Sequence, residues 1–394
     1  MNKKLLWLSA LSISSTAAMA TTSNTISNVE IGVVLDGIYQ DGSREFSHRE
    51  EGFSLGHSEI NLSANIDDKF RGVLTTMLES HEGKTEIELE EAFIESLAMP
   101  WGFKVKAGRF LSSFGYLNEK HVHEDAFSER PGVYRALLGG HYFDDGVQLS
   151  WLAPTDFYLA FTSEAFSGKK LDAGFDQPAT VGVYSAAINI GADINASHSW
   201  MFGLSALRNG NGEMQFGGEH DHDDHAGDSH DEHDHGEHSH GPAFTGENLF
   251  GADFTWKWAP QGNYKYQNVR FTTEYLQLND LYDTQFSDLQ GAKDNLKGIY
   301  ATIVYQFTPH WSVALRGSEF DHQLANDVHG HGDHAHGDFS DAKLREYDVS
   351  LAWLSSHFGQ VRGQYTRQET HTKDDNIFSL QYVMTFGAHA AHGF

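Results

Sequence analysis

The 394-residue sequence predicts an all-β fold, a transmembrane antiparallel β-barrel of about sixteen strands with no plug domain. Three observations predict it. Apolar residues recur at period two in long segments that finish in Trp, Tyr or Phe, as a lipid-facing wall requires. Short turns alternate along the chain with longer, more polar connections. The last segment keeps its alternation up to the terminal residue, Phe394.

The chain opens on a targeting pattern. Lys3 and Lys4 are basic, Leu5 to Ala18 is largely apolar, and Ala18-Met19-Ala20 is a small-x-small cleavage signal. Residues 1–20 are expected to be a signal peptide and 21–394 an outer-membrane β-barrel. After the signal no run of about 18 apolar residues occurs. Mean hydropathy is -0.46, as expected of strands that average apolar with polar residues. Cysteine is absent, so the exported fold does without disulfides and offers no thiolate to a metal. Seven prolines in the whole chain suit long paired strands.

Alternation is clearest at Phe250, Ala252, Phe254, Trp256 and Trp258, at Val269, Phe271, Thr273 and Tyr275, and at Tyr347, Val349, Leu351 and Trp353. Short turns are expected at 67–69, 100–102, 154–156, 195–197, 260–262, 308–310 and 356–359. Outer connections are expected near 41–51, 81–84, 115–143, 168–179, 211–247, 281–296, 323–343 and 372–376. Together they predict strands near 28–40, 52–66, 71–81, 84–98, 103–115, 143–153, 157–167, 180–194, 198–210, 248–259, 263–280, 296–307, 311–323, 344–355, 360–372 and 376–394. In the last, Leu380, Tyr382, Met384 and Phe386 lead in register to Phe394, an ending that barrel-insertion machinery reads. A barrel of this size encloses an aqueous channel. The connection 115–143, with Arg130-Pro131-Gly132 and an apolar patch from Val133 to Leu138, is expected to fold into it.

The net charge is -28, and residues 212–247 hold eleven Asp and Glu with no Lys or Arg. This excludes a nucleic-acid partner and favours cations. Two external loops, 212–247 and 324–343, are rich in histidine. The first carries His220, His222, His225, His230, His233, His235, His238 and His240; the second carries His329, His331, His334 and His336. Neutral imidazoles spaced H-x-H or H-x-x-H among carboxylates can close on zinc, nickel or cupric ion. Zinc is expected as a bound or transported ion, with no resident cofactor. The bland reading is a solvated acidic loop whose histidines only aid solubility. His121, His123, Glu124 and Asp125 form a smaller group in the 115–143 connection, where a metal or pore site is expected. Lys104, Lys106, Arg270, Glu274 and Arg316 are expected to point inward and line the pore; both signs occur, so they imply no selectivity. No nucleophile stands with its base and no G-x-S-x-G elbow is found, so an enzyme is not expected.

The block EIELEEAFIESLAMPWGFKVKAGRFLSSFGYLNEKHVHEDAF (86–127), then YRALLGGHYFDDGVQLSWLAP (134–154) and GAHAAHGF (387–394), resembles the zinc-regulated outer-membrane proteins, often labelled zinc-regulated receptors of the TonB-dependent type. The segment around KAGRF (106–110) is similar to phosphate-selective porins. The resemblance implies a sixteen-stranded porin-like channel made when zinc is scarce, in the outer membrane of a Gram-negative bacterium. A homotrimer is implied only by analogy with porins of this size. The leading functional expectation is a channel assisting uptake of zinc or another divalent metal captured by the external loops. The alternatives are a general or anion-selective porin with incidental histidines, or a surface protein that sequesters metal.

Overall fold

A computed structural model describes residues 29–49, 51–81, 84–173, 178–213, 241–282, 292–331, 334–356 and 358–388, with the backbone alone for 325–338. The signal segment, the eight histidines from His220 to His240 and Phe394 lie outside the described residues.

The strands follow one another in chain order. They are β1 (Glu30–Gln40), β2 (Gly52–Leu55), β3 (Ser58–Asn65), β4 (Phe70–His81), β5 (Lys84–Ser96) and β6 (Phe103–Leu111). After a long connection containing helix α1 (Gly132–Leu138) come β7 (Phe143–Leu152), β8 (Tyr158–Phe166), β9 (Val183–Asn195) and β10 (His198–Asn209). The remainder are β11 (Asn248–Trp258), β12 (Asn268–Asn279), β13 (Asn295–Thr308), β14 (Trp311–His331), β15 (His334–Ser356), β16 (Gly359–Glu369) and β17 (Asp374–Gly387). Apart from β2 and β3, which both pair with β1, each strand pairs antiparallel with its sequence neighbour, and β17 returns to β1 through Gly32↔Gly387 to Gln40↔Ser379. The sheet is a closed barrel. Closure leaves no strand edge facing lipid, where an unpaired backbone group costs several kcal/mol.

Strands β2 and β3 share one place in the wall, both pairing with β1, so the barrel has sixteen positions. Side chains alternate as expected. Leu315, Val349, Leu351 and Ile303 are exposed on the outer face, while Ala314, Arg316, Asp348 and Ser350 are buried inside. Phe103, Trp151 and Phe161 stack along the rim near the short turns, where amphipathic rings suit the membrane interface.

Two expectations are corrected. The segment 324–343 is not an open loop. The β14–β15 ladder runs on to His331↔His334, with His329 opposite His336 and one irregularity between Ala325 and Asp327. The stretch contains no proline, so the two strands keep satisfying each other's backbone groups beyond the membrane band. The segment 52–66 is not one strand but breaks at Gly56-His57.

The connection between β6 and β7 folds into the barrel and fills much of it. All seven residues of α1 are buried. Val133, Tyr134, Leu137 and Leu138 pack in one cluster with Leu276, Leu296, Tyr300, Phe320 and Leu344 of the wall. Full burial of each such aliphatic side chain contributes about 1.5–3 kcal/mol. Gly298 lets the helix approach, since a Cβ there would lie 2.6 Å from Val133. Polar anchors complete the seating. Glu346 accepts hydrogen bonds from the Gly132 amide (3.0 Å) and from Arg135 (2.6 Å). Glu274 accepts from the Tyr134 and Tyr300 hydroxyls (2.9 and 2.8 Å) and from the Tyr116 amide (3.0 Å). Arg316 pairs with Asp348 at 2.8 Å and donates to the Glu129 carbonyl. Glu274 and Arg316, expected to line an open pore, thus hold the loop to the wall.

Candidate metal centre

Two irregularities in the wall aim acidic and imidazole groups inward on the same side of the barrel. In β5 the register steps from Thr75↔Glu91 to Thr76↔Leu89, leaving Glu90 as an extra residue. Ile87 and Leu89 face out before the step, Ile94 faces out after it, and both Glu90 and Glu91 are buried. At the β2–β3 break the pairing moves from Gly37↔Leu55 to Val34↔Glu59. Three residues there, 56–58, face only two in β1. The result is a run of buried residues, Gly56 to Glu59. Gly56 is needed because a Cβ would meet the Asp36 carboxylate at 2.4 Å. Asp36 also accepts from the His57 amide, and its own amide donates to Ser58 Oγ. Bulges of this kind re-aim side chains and concentrate at functional sites.

Against these wall groups the loop sets three histidines. His121 and His123 flank Val122 in a single 3-10 turn, and His141 stands just before β7. His57 Nε2 is 3.3 Å from Glu59 Oε1 and 3.4 Å from Glu90 Oε1. His141 Nε2 is 3.1 Å from Glu90 Oε1. His121 Nδ1 is 3.3 Å from Glu59 Oε2 and 3.3 Å from Glu90 Oε2, and its Nε2 is 3.5 Å from Glu91. His123 Nδ1 hydrogen-bonds Glu59 Oε1 at 2.8 Å. Glu59 and Glu90 are 3% and 0% exposed, so water does not solvate them.

Apart from the His123–Glu59 hydrogen bond, these groups meet as close ion-pair contacts and not as aligned hydrogen bonds. His57 Nε2, His121 Nδ1, His141 Nε2 and both carboxylate oxygens of Glu90 have no hydrogen-bond partner. A buried carboxylate left so is costly unless a cation or a hydrogen bond meets it. Burial disfavours a charge on His121, yet Glu59 and Glu90 outweigh it and hold its pKa well above the ordinary histidine value. For His141 burial wins over the Glu90 contact, and its pKa is lowered. The carboxylates thus call for positive charge at this spot. Two triads, His57–Glu90–His141 and Glu59–Glu90–His121, each hold their donor atoms within 4.8 Å. Imidazole and carboxylate donors without thiolate suit zinc and its neighbours among the divalent transition metals.

The cluster sits between two cavities. The outer one, of about 80 Å³, is lined by His57 and His141 together with Arg49, Glu79, Glu88 and Glu129. The inner one, of about 290 Å³, reaches the short-turn side at Tyr264, Ser356 and Phe358, and is lined by His123, Glu124, Asp125, Arg270 and Arg362.

Of the residues singled out in the loop, the structure brings His121 and His123 into this cluster. Glu124 lines the inner cavity instead, and Asp125 pairs with Arg130 at 3.1 Å. Arg270 faces the inner cavity, Lys104 pairs with Glu95, and Lys106 lies over the rings of Phe93 and Phe110. The histidines of 329–336 are placed by backbone only, at the outer end of the β14–β15 ladder. Sequence reading missed His57, Glu59, Glu90 and His141. The signal available was a change of phase. Outward residues fall at odd positions through Phe53 and Leu55 and at even ones from Ile60. They do the same through Leu89 and from Ala92.

No family model matches the chain. A protein of Aquifex aeolicus (strain VF5) with no assigned function is 28% identical over 373 residues, covering 88% of this chain and 71% of its own length. Among solved structures, the outer-membrane channel DcaP of Acinetobacter baumannii superposes with a TM-score of 0.53 at 11% identity, covering 91% of this chain and 96% of DcaP. An anion-selective porin from Comamonas acidovorans gives 0.52 at 9% identity, covering 91% and 99%. OmpT of Vibrio cholerae, in a trimer form, gives 0.52 at 8% identity, covering 91% and 99%. The chain has the porin fold, a closed antiparallel β-barrel. At these identities the likeness extends to fold alone.

Proposed function

We propose that the chain is an outer-membrane channel for divalent metal cations, zinc foremost, with the His/Glu cluster as the point through which the ion passes. The observation that carries this reading is the set of buried, partnerless imidazole and carboxylate atoms between the outer and inner cavities. The acidic, histidine-rich segment 212–247 would gather the ion near the mouth. Glu79, Glu88 and Glu129 lie on the path inward. A homotrimer in outer-membrane lipid fits the assembly form of the Vibrio protein, and no reaction chemistry is required.

Zinc flux into proteoliposomes carrying a trapped zinc dye tests the reading. Wild-type protein is expected to admit zinc well above the rate of protein-free vesicles. Glu90→Gln is expected to slow it by about tenfold or more, since even outer-shell changes at metal sites cost that much affinity. Zinc flux at the protein-free rate would reject the proposal.

A further inference from the structure

We infer that the cluster is a carboxylate-bridged site for two divalent cations held at once, an outer and an inner one, which makes it a two-step relay through the barrel. The inference rests on the metal-channel reading and deepens it. The reason is how the carboxylates divide their oxygens. Glu90 turns Oε1 to His57 and His141, at 3.4 and 3.1 Å, and Oε2 to His121, at 3.3 Å. Glu59 turns Oε1 to His57 and His123, at 3.3 and 2.8 Å, and Oε2 to His121, at 3.3 Å. Both acids face two sets of imidazoles, one through each oxygen.

The spacing favours coordination over hydrogen bonding. Zinc lies about 2.1 Å from imidazole or carboxylate donors, so two donors on one tetrahedral ion stand about 3.4 Å apart. The imidazole–carboxylate contacts here, other than that of His123, fall between 3.1 and 3.5 Å. One four-coordinate ion cannot use all the donors present. Four histidines and two bridging glutamates divide into His57–Glu90–His141 and Glu59–Glu90–His121, while His123 stacks on the ring of His121 and hydrogen-bonds Glu59 Oε1, the oxygen that also faces His57. Paired ions sharing ligands sit about 3.5–4 Å apart in other proteins, which one bridging carboxylate spans.

The two halves open in opposite directions. His57 and His141 line the outer cavity; His123 lines the inner one. An ion arriving at the outer half would repel the one already in the inner half across the shared Glu90. Channels need such multi-site binding, so that a site strong enough to capture its ion still releases it. The donors also come from both sides of the lumen boundary, three from the wall and three from the loop, so the loop's seating decides whether the pair exists.

Anomalous diffraction at the zinc edge from crystals of the full-length mature protein soaked in zinc tests this directly. Two lumenal peaks are expected, one against His57 and His141 and one against Glu59 and His121. In His141→Ala crystals the outer peak should vanish and the inner one remain. His121→Ala should do the reverse, and Glu90→Gln should lose both. Heat-modifiable gel migration confirms that each variant is folded, and a variant that fails it is replaced by His57→Ala, which is expected to lose the outer peak. One peak, sensitive to every variant, overturns the two-ion site and leaves the channel reading intact. No lumenal peak with zinc flux retained overturns the site as the route. No peak and no flux removes both.

Discussion

Replacing residues 117–139 with a short Gly-Ser linker is expected to raise single-channel conductance roughly several-fold and, on the proposed metal-channel reading, to remove a preference for zinc. The loop is the reason the lumen is narrow. It seats α1, with all seven residues buried, on the apolar inner wall of β12 to β15. A sixteen-position barrel without such filling is an open aqueous channel. The excision also removes His121 and His123 while sparing His57, Glu59 and Glu90. Total current and zinc selectivity should therefore move in opposite directions, which a simple loss of folded protein cannot mimic. Planar-bilayer recordings in KCl, then in mixed potassium and zinc salts, read both. A conductance equal to wild type would mean that the loop does not set the constriction.

Glu346→Ala unseats the loop. Glu346 is fully buried, and its carboxylate meets Arg44 at 2.9 Å, Arg135 at 2.6 Å and the Gly132 amide at 3.0 Å. Arg44 comes from the β1–β2 connection and Arg135 from α1, so one acid ties two inward segments to β15. Removing it leaves two guanidiniums beside each other in a buried site, Arg44 with Asp348 at 3.0 Å and Arg135 with Glu129 at 3.7 Å as the remaining counter-charges. Breaking a buried pair from one side costs about 3–5 kcal/mol. The cost falls on the loop, because the wall is held by its own ladder. Trypsin should then cut at Arg135 in folded, membrane-embedded protein, where the wild type is protected. Glu346→Gln should fall between them. Equal protection in all three would show that apolar packing alone seats the loop.

The wall was legible in the sequence because lipid imposes a strict rule. Every second residue must be apolar over a fixed height, and Leu315, Val349 and Leu351 obey it. The turns were legible for the same reason, since they fall where the alternation stops. The site was legible only in its loop half. His121 and His123 stand out as an H-x-H pair, but their partners lie on strands more than 25 residues away, and nothing local marks Glu90 as lumenal. A glutamate beside Leu89 in EIELEEAF reads as one more inward residue of an alternating strand. Only the phase change at Glu90-Glu91, matched by the one at Gly56-His57, tells that both strands bulge toward one point. The filling of the barrel was legible in part. The apolar patch Val133–Leu138 has to bury itself, but its receiving surface is scattered over Leu276, Leu296, Phe320 and Leu344. Single apolar residues among polar inward ones give no local warning of a shared surface.

The histidine ladder at the β14–β15 tip shows the opposite case. Its composition suggests a loop, yet cross-strand pairing keeps it extended to His331 and His334. Charge and histidine content describe what a segment can bind. They say little about whether its backbone finds a partner.

Cation passage through this barrel is tested most directly by the reversal potential of purified protein in a planar bilayer across a gradient of zinc chloride. The buried Glu59 and Glu90, unpaired except by imidazole, predict a potential of the sign set by zinc moving down its gradient. A potential of the opposite sign, set by chloride, would contradict the account and leave an anion-conducting porin in its place.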